Sequence, residues 1–226
     1  MTTGIRNNRD QKYQLLKGIN LMGLDLRGHD FTGSDLEGAN LSGANLENAY
    51  LLDVSLREAN LTGANLTSVD LSGVELDDAN LEGANLTGAN LTGAILTGAN
   101  LKDANLSSAN LAKASLGHVN LSGANLSSAN LTEANLGSAN LSGANLTNTD
   151  LTGIFFLHTD MTGANLTSAD LTGVQLNNTD MTGANLTDAT LSNTNLTEVD
   201  FKGATLTGAN LTNANLSGAN LHGAIC

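Results

Sequence analysis

Proline and tryptophan are both missing from this 226-residue chain, cysteine occurs once, and aromatic residues make up only 3%. Each shortage closes off a class of protein. Without proline there is no polyproline segment and no collagen-like one, even though glycine is plentiful. The single cysteine, Cys226, excludes an intramolecular disulfide and any cysteine-based metal site. So few aromatics do not build an ordinary globular core. No apolar run approaches the ~20 residues that span a bilayer, and no apolar segment follows a basic start as in a secretory signal. A cytoplasmic chain without a membrane partner is therefore expected. Basic residues are scarce too, with 9 Lys and Arg against 22 Asp and Glu for a net charge of -13. That balance opposes direct nucleic-acid binding and favours a protein partner.

What the chain does contain is one five-residue phrase. The stretch LSGANLSSANLTEANLGSANLSGANLTNTD at 121-150 repeats it six times. From Leu16 to Cys226 the central residue recurs at every fifth position with no insertion or deletion. Of these 43 centres 37 are Leu, the others being Phe31, Phe156, Met161, Met181, Phe201 and Cys226. A disordered chain has no reason to keep that phase. One quasi-one-dimensional array of residues 16-226 is the natural reading.

A period of five matches neither the strand's two nor the helix's 3.6. A short extended segment followed by a turn fits it, with four repeats bringing the chain back to its start. Residues 20 apart then stack at the ~4.8 Å spacing of paired strands, giving about 10.5 coils. Each centre points inward, and so does the residue two before it, usually Ala (39, 44, 59, 64, 84, 89), sometimes Val or Thr. Gly, commonest two after the centre, suits a turn with positive φ. Asn or Asp just before the centre can bond to turn backbone or ladder with its neighbours.

Repeats such as ANLTG at 84-88, ADLTG at 169-173 and ANLSG at 214-218 resemble those of the pentapeptide-repeat family, over about residues 14-226. The resemblance implies an all-β, right-handed quadrilateral β-helix, a solenoid of four-sided coils. Residues 1-15 are not repeat. Within NNRDQKYQLLKG at 7-18, Tyr13 and Leu16 share one face and Lys17-Gly18 reads as a stop, which predicts a short helical N-terminal cap.

Candidate surface residues follow from the 20-residue register. Lys17, Glu37, Arg57 and Asp77 form a column of alternating sign, and Arg27-Glu47, Glu82-Lys102 and Lys113-Glu133 are further pairs of opposite charge. Between Asp30 and Glu82 lie 11 acidic residues and one basic one, Arg57. Asp30, Asp35, Glu37, Glu47, Asp53, Asp70, Glu75, Asp77 and Asp78 are the candidate acidic contacts there. Asp160, Asp180 and Asp200 share a column, where a solvated acidic stripe competes with a weak Ca²⁺ site; no metal or other cofactor is assigned. Among outward apolar residues, Tyr50 and Leu52 share one face, and Ile95, Phe155 and Leu157 share another.

No catalytic constellation stands out. His118 and His158 fall about two coils apart, too far to share a metal, and no His–acid pair activates a Ser or Thr. His29 sits in an inward seat with no nucleophile nearby in sequence. The chain reads as a non-enzymatic acidic scaffold or protein-protein interaction module. Two other readings stand beside it. The resemblance implies a DNA mimic that binds a type II topoisomerase such as gyrase, although this chain lacks the loops and the C-terminal helix of such members. High regularity also fits a purely structural or idealised repeat. Unpaired backbone at the last coil predicts end-to-end self-association there.

Overall fold

The computed structural model describes residues 16-154 and 156-226; the expected cap at 1-15 and Phe155 lie outside the described residues. Each repeat makes the same local structure. A turn follows the centre, closed by the N–H three residues on donating to the centre's carbonyl, as in Ala64 N to Leu61 O at 2.9 Å. The residue two after the centre takes a left-handed φ, for example +62° at Gly43 and +66° at Gly93. Twenty non-glycine residues hold the same place with φ between 54° and 61°. None is β-branched, the side-chain type for which that region is most strained.

The residue before the centre locks the turn. Its side-chain oxygen accepts the backbone N–H two residues on, as in Ser42 N to Asn40 Oδ1 at 3.2 Å and Thr152 N to Asp150 Oδ1 at 2.9 Å. A Thr or Ser hydroxyl often adds a second bond, such as Thr62 to Asn60 at 2.6 Å. This explains Asn, Asp, Ser and Thr at these places: they bond locally to turn backbone.

Successive layers pair at a separation of 20 residues. The bridge Asn40↔Asn60 is parallel. Its two bonds are Asn60 N to Ala39 O at 2.9 Å and Leu41 N to Asn60 O at 2.7 Å, and Gly43 N to Thr62 O at 2.8 Å adds a third across the turn. Side chains reinforce some steps, as Asn100 Nδ2 does by donating to Asn80 Oδ1 at 3.0 Å.

This pairing corrects the expected secondary structure. The described residues form no strand, no sheet and no helix, so the all-β right-handed quadrilateral β-helix of about 10.5 four-sided coils is not what is present. Every pairing is an isolated parallel bridge. The reason is local. Each extended segment is one residue long before the left-handed corner turns the chain, so bridges accumulate across layers but never run along the chain as a ladder.

The interior is narrow and apolar. From Leu36 to Leu196, centres such as Leu66, Leu86 and Leu171 are wholly buried, beside inward residues such as Ala64 and Ala89. Burying a Leu contributes roughly 1.5–3 kcal/mol relative to exposing it, so this column dominates stability. The second inward seat is sized for a methyl group. Where Ala occupies it in residues 79-109, the turn bond measures 2.9–3.1 Å, whereas with Val or Thr it runs from 3.1 Å at Val74 and Thr179 to 3.3 Å at Val54, Thr194 and Val199. The buried Thr149, Thr159 and Thr194 satisfy their hydroxyls on the carbonyls of Leu126, Leu136 and Leu171 at 2.9–3.1 Å. Thr179 is buried alike, but its hydroxyl has no partner.

Between described residues, the series of bridges from residue 20 to 225 is complete except for one step, Tyr50 to Asp70. Leu51 N to Asp70 O, the bond that this register calls for, is not made there.

Candidate protein-interaction surface

Because pairing is by 20, residues whose numbers differ by a multiple of 20 lie on one track along the stack. The acidic zone at 30-82 is compact in sequence and divided in space. Asp30, Tyr50, Leu52, Asp53 and Asp70 share one track, through bridges such as Asp30↔Tyr50 and Asp70↔Asn90. Asp35, Glu37, Glu75, Asp77, Asp78, Ile95 and Leu157 share a second, through Asp35↔Ser55, Ser55↔Glu75 and Glu75↔Ile95. Glu47 lies on a third, and Asp160, Asp180 and Asp200 on the fourth. The expected residues therefore make two mixed acidic and apolar surfaces and one acidic row.

On the first surface Tyr50 and Leu52 are 63% and 52% exposed, far more than most outward residues of the regular repeats. They sit where the bridge between layers is missing. Around them Asp30 and Asp70 are held ionised below the usual carboxylate range. Thr32 donates to Asp30 through hydroxyl and backbone N–H, and Ser72 does the same for Asp70, with Asn90 adding a smaller contribution. A fixed pair of carboxylates thus flanks an aromatic and an aliphatic side chain.

On the second surface Ile95 and Leu157 are 38% and 42% exposed. Between their layers the surface dips into a recess of about 360 Å³ whose lining includes Gly117, His118 and Gly137. The recess escaped sequence reasoning, although a signal was available. Gly117 and Gly137 are the two glycines that directly follow a centre, and they are 20 residues apart.

The acidic row is stabilised locally. Asp160, Asp180 and Asp200 form successive bridges, and each accepts the backbone N–H two residues on, at 2.9 Å. Asn220 Nδ2 also donates to Asp200 at 2.9 Å. These donors offset the mutual repulsion of the carboxylates. Among the described residues no group of three His, Cys, Asp or Glu could hold a metal ion.

The charge pairs form with two exceptions, Glu37–Arg57 within the alternating column and Arg27–Glu47. Lys17 reaches Glu37 at 2.8 Å, Arg57 reaches Asp77 at 4.0 Å, and Lys102–Glu82 and Lys113–Glu133 close to 3.9 and 3.8 Å. Arg27 does not reach across to Glu47. It folds back on Asp25 in a two-pronged pair at 2.6 and 2.8 Å, which depresses the Asp25 pKa to about 2. Two residues of backbone bring these partners together more cheaply than a span across layers. Apart from the half-buried Asp77 these groups are largely solvent-exposed, and the pairs contribute little to stability. His29 packs beside Phe31, with ring centroids 6.2 Å apart.

With this geometry in place the relatives can be compared. The family model for pentapeptide repeats matches residues 39–76, 75–111, 104–143, 144–183 and 184–223, and the chain belongs to that family. Among solved structures it is similar to HetL, a pentapeptide repeat protein involved in heterocyst differentiation regulation in the cyanobacterium Nostoc sp. strain PCC 7120. The two are 34% identical over 92% of this chain and 89% of that one, with a TM-score of 0.54. QnrB1, a plasmid-mediated fluoroquinolone resistance protein, is 24% identical over 76% of this chain and 89% of its own, with a TM-score of 0.35. A pentapeptide repeat protein of the Arabidopsis thaliana thylakoid lumen is 29% identical over 59% of this chain and 68% of its own, with a TM-score of 0.26. No curated protein matches the chain.

Proposed function

We propose that this protein is a non-enzymatic interaction module that binds a protein partner through its mixed acidic and apolar surfaces. The observation that carries the reading is the exposed pair Tyr50 and Leu52, set between the ionised Asp30 and Asp70 at the one bridge missing between described residues. An aromatic anchor with a charged rim is the usual make-up of a binding hot spot. A regulatory role is consistent with the similarity to HetL, which is involved in regulating differentiation in its own organism. The test is photo-crosslinking from position 50 in host lysate, with Asp30→Asn/Asp70→Asn and Leu52→Ser variants as comparisons. One dominant protein adduct that both variants weaken is expected. Adducts that are diffuse, or indifferent to both variants, would overturn the reading.

A second reading has its own observation. The evenly repeated carboxylates of Asp160, Asp180 and Asp200 form a row along one track, which would stand in for a line of phosphates. A gyrase supercoiling assay separates the two: inhibition at micromolar protein that Asp180→Asn relieves supports mimicry, and its absence dismisses it.

A further inference from the structure

The recess on the second surface is built by an omission. In most repeats the residue after the centre is Thr or Ser; at 117 and 137 it is Gly. Glycine elsewhere in this chain serves the left-handed corner, but neither Gly117 nor Gly137 has positive φ. The backbone therefore does not require glycine at either place. At Gly117 space does not require it either, since a Cβ added there would meet nothing nearer than the Gly137 carbonyl at 3.9 Å. What the two glycines accomplish, on adjacent layers, is to leave a hollow where side chains would stand.

The floor of that hollow is peptide backbone with three of its four glycine polar groups engaged. Gly117 O accepts from Gly98 N at 3.0 Å, Gly137 O from His118 N at 3.0 Å, and Gly137 N donates to Asn135 Oδ1 at 3.0 Å. A floor of this kind asks for little hydrogen bonding and suits the flat face of a ring. Leu157 closes one end, and at the other Ser115 is bridged to the exposed Ile95. One layer beyond Ile95 the same track carries Glu75, joined to it by a bridge, and Asp78, while no Lys or Arg occurs on the track from there to His158.

We propose that this recess receives one aromatic side chain of a protein partner, from a segment whose basic residues lie toward Glu75 and Asp78. The proposal rests on the protein-binding reading and gives it a second, separate contact. The volume of about 360 Å³ accommodates a single ring system. The recess is open above, so a free small molecule would stay half in water, whereas ligand pockets bury most of their occupant. A ring carried on a peptide closes the opening with its own backbone. The carboxylates at one end then supply orientation, as charge complementarity does at interfaces.

The test fills the hollow with the residue common in the other repeats. Gly117→Thr/Gly137→Thr and, as a milder form, Gly117→Ala are compared with wild type as baits for a displayed library of random nine-residue peptides. Wild type is expected to enrich peptides with one Trp, Tyr or Phe beside Lys or Arg. The best of these, made synthetically, should bind the double variant at least tenfold more weakly, and lose as much when its aromatic residue becomes Ala. Thermal unfolding of both variants should be unchanged or shifted upward, which separates lost binding from lost fold. Equal enrichment on wild type and double variant, winners without an aromatic residue, or no enrichment at all would overturn the recess as a docking site. The protein-binding reading would then stand or fall on the position-50 crosslinking alone. A dimer of wild type that the double variant abolishes would assign the recess to a second copy and overturn the proposed occupant.

Discussion

Residues 79-110 and residues 48-74 have the same period and the same buried centres, yet only the first stretch keeps every bridge. In the first, all seven inward seats from Ala79 to Ala109 hold Ala, four corners from Gly83 to Gly98 are Gly, and Asn at the bridging places donates across layers. In the second, Val54, Val69 and Val74 fill three of six inward seats. Asn48, Asp53, Glu58 and Ser68 take the left-handed corner without glycine, and Tyr50 has no amide to offer Asp70. Any one of these departures is tolerated elsewhere: Val119 and Val174 sit under intact bridges. The three together do not by themselves remove a bridge, since Asp180↔Asp200 is intact with Asn178 and Glu198 at the corners, Thr179 and Val199 in the seats and no amide at either bridging place. The missing step is also the one flanked by the bulky, exposed side chains of Tyr50 and Leu52.

Removing a centre should produce the largest effect and separate the two stretches most clearly. Leu91→Ala, in a tight layer, is expected to cost about 3–5 kcal/mol through lost burial and the cavity left behind. Leu51→Ala should cost about 2–3 kcal/mol, because layers already parted can relax into the space. Denaturant unfolding of both variants checks this, and equal losses would contradict the comparison.

Exchanging the seats comes next. Ala89→Val should destabilise by about 1–3 kcal/mol by overfilling a methyl-sized seat. Val69→Ala should increase hydrogen-exchange protection of the Leu51 amide, even though it removes two methyl groups from the core. No gain in that protection would mean that seat size is not what parts the layers.

Corners give a smaller, inverted pair. Asp53→Gly should stabilise by about 1 kcal/mol, since the left-handed region is costly for a residue with a Cβ. Gly93→Ala should destabilise by a similar ~1 kcal/mol, although nothing lies within 4 Å of the added methyl. Thermal melts of the two variants should therefore move in opposite directions.

Buried hydroxyls give a comparable contrast farther along. Thr194→Val removes the bond to the Leu171 carbonyl and should cost about 1 kcal/mol. Thr179→Val removes an unpartnered hydroxyl and should be neutral or stabilising.

The smallest effect is electrostatic. Asp25, Asp30 and Asp70 have folded pKa values lowered from the ordinary 3.8, Asp25 to about 2. A lowered carboxylate contributes stability that is present above its unfolded pKa and is lost as pH falls through the folded one. Stability should thus drop slightly between about pH 4 and pH 2, and Arg27→Ala should return Asp25 toward its ordinary value in an NMR titration.

Much of the interior was readable beforehand because its physics is local and repeated. Leu at the centre, Ala two before it and Gly two after it each announce a seat or a corner, and pairs such as Lys17–Glu37 follow from the spacing of 20. The secondary-structure class was not readable. Apolar period shows which way side chains point, but it does not show that the extended segment shrinks to one residue. Arg27 was misassigned because a partner two residues away competes with one a layer away. The acidic zone misled in another way, since neighbours in sequence turn onto different tracks with every fifth residue. The recess was legible only in the place of two glycines, Gly117 and Gly137, which directly follow a centre where the other repeat glycines stand one residue later.

The unbroken spacing has a consequence at the level of the gene. Each repeat is encoded by fifteen bases, and where such phrases are alike, slippage during replication can gain or lose one and leave each repeat intact. Yet five added residues carry every downstream side chain onto the neighbouring track, so an addition between the two would take Leu157 out of line with Gly117. Only changes of twenty residues leave the tracks aligned. Copy number can therefore drift in single phrases without harm to folding, while a contact built across layers survives only drift in units of four.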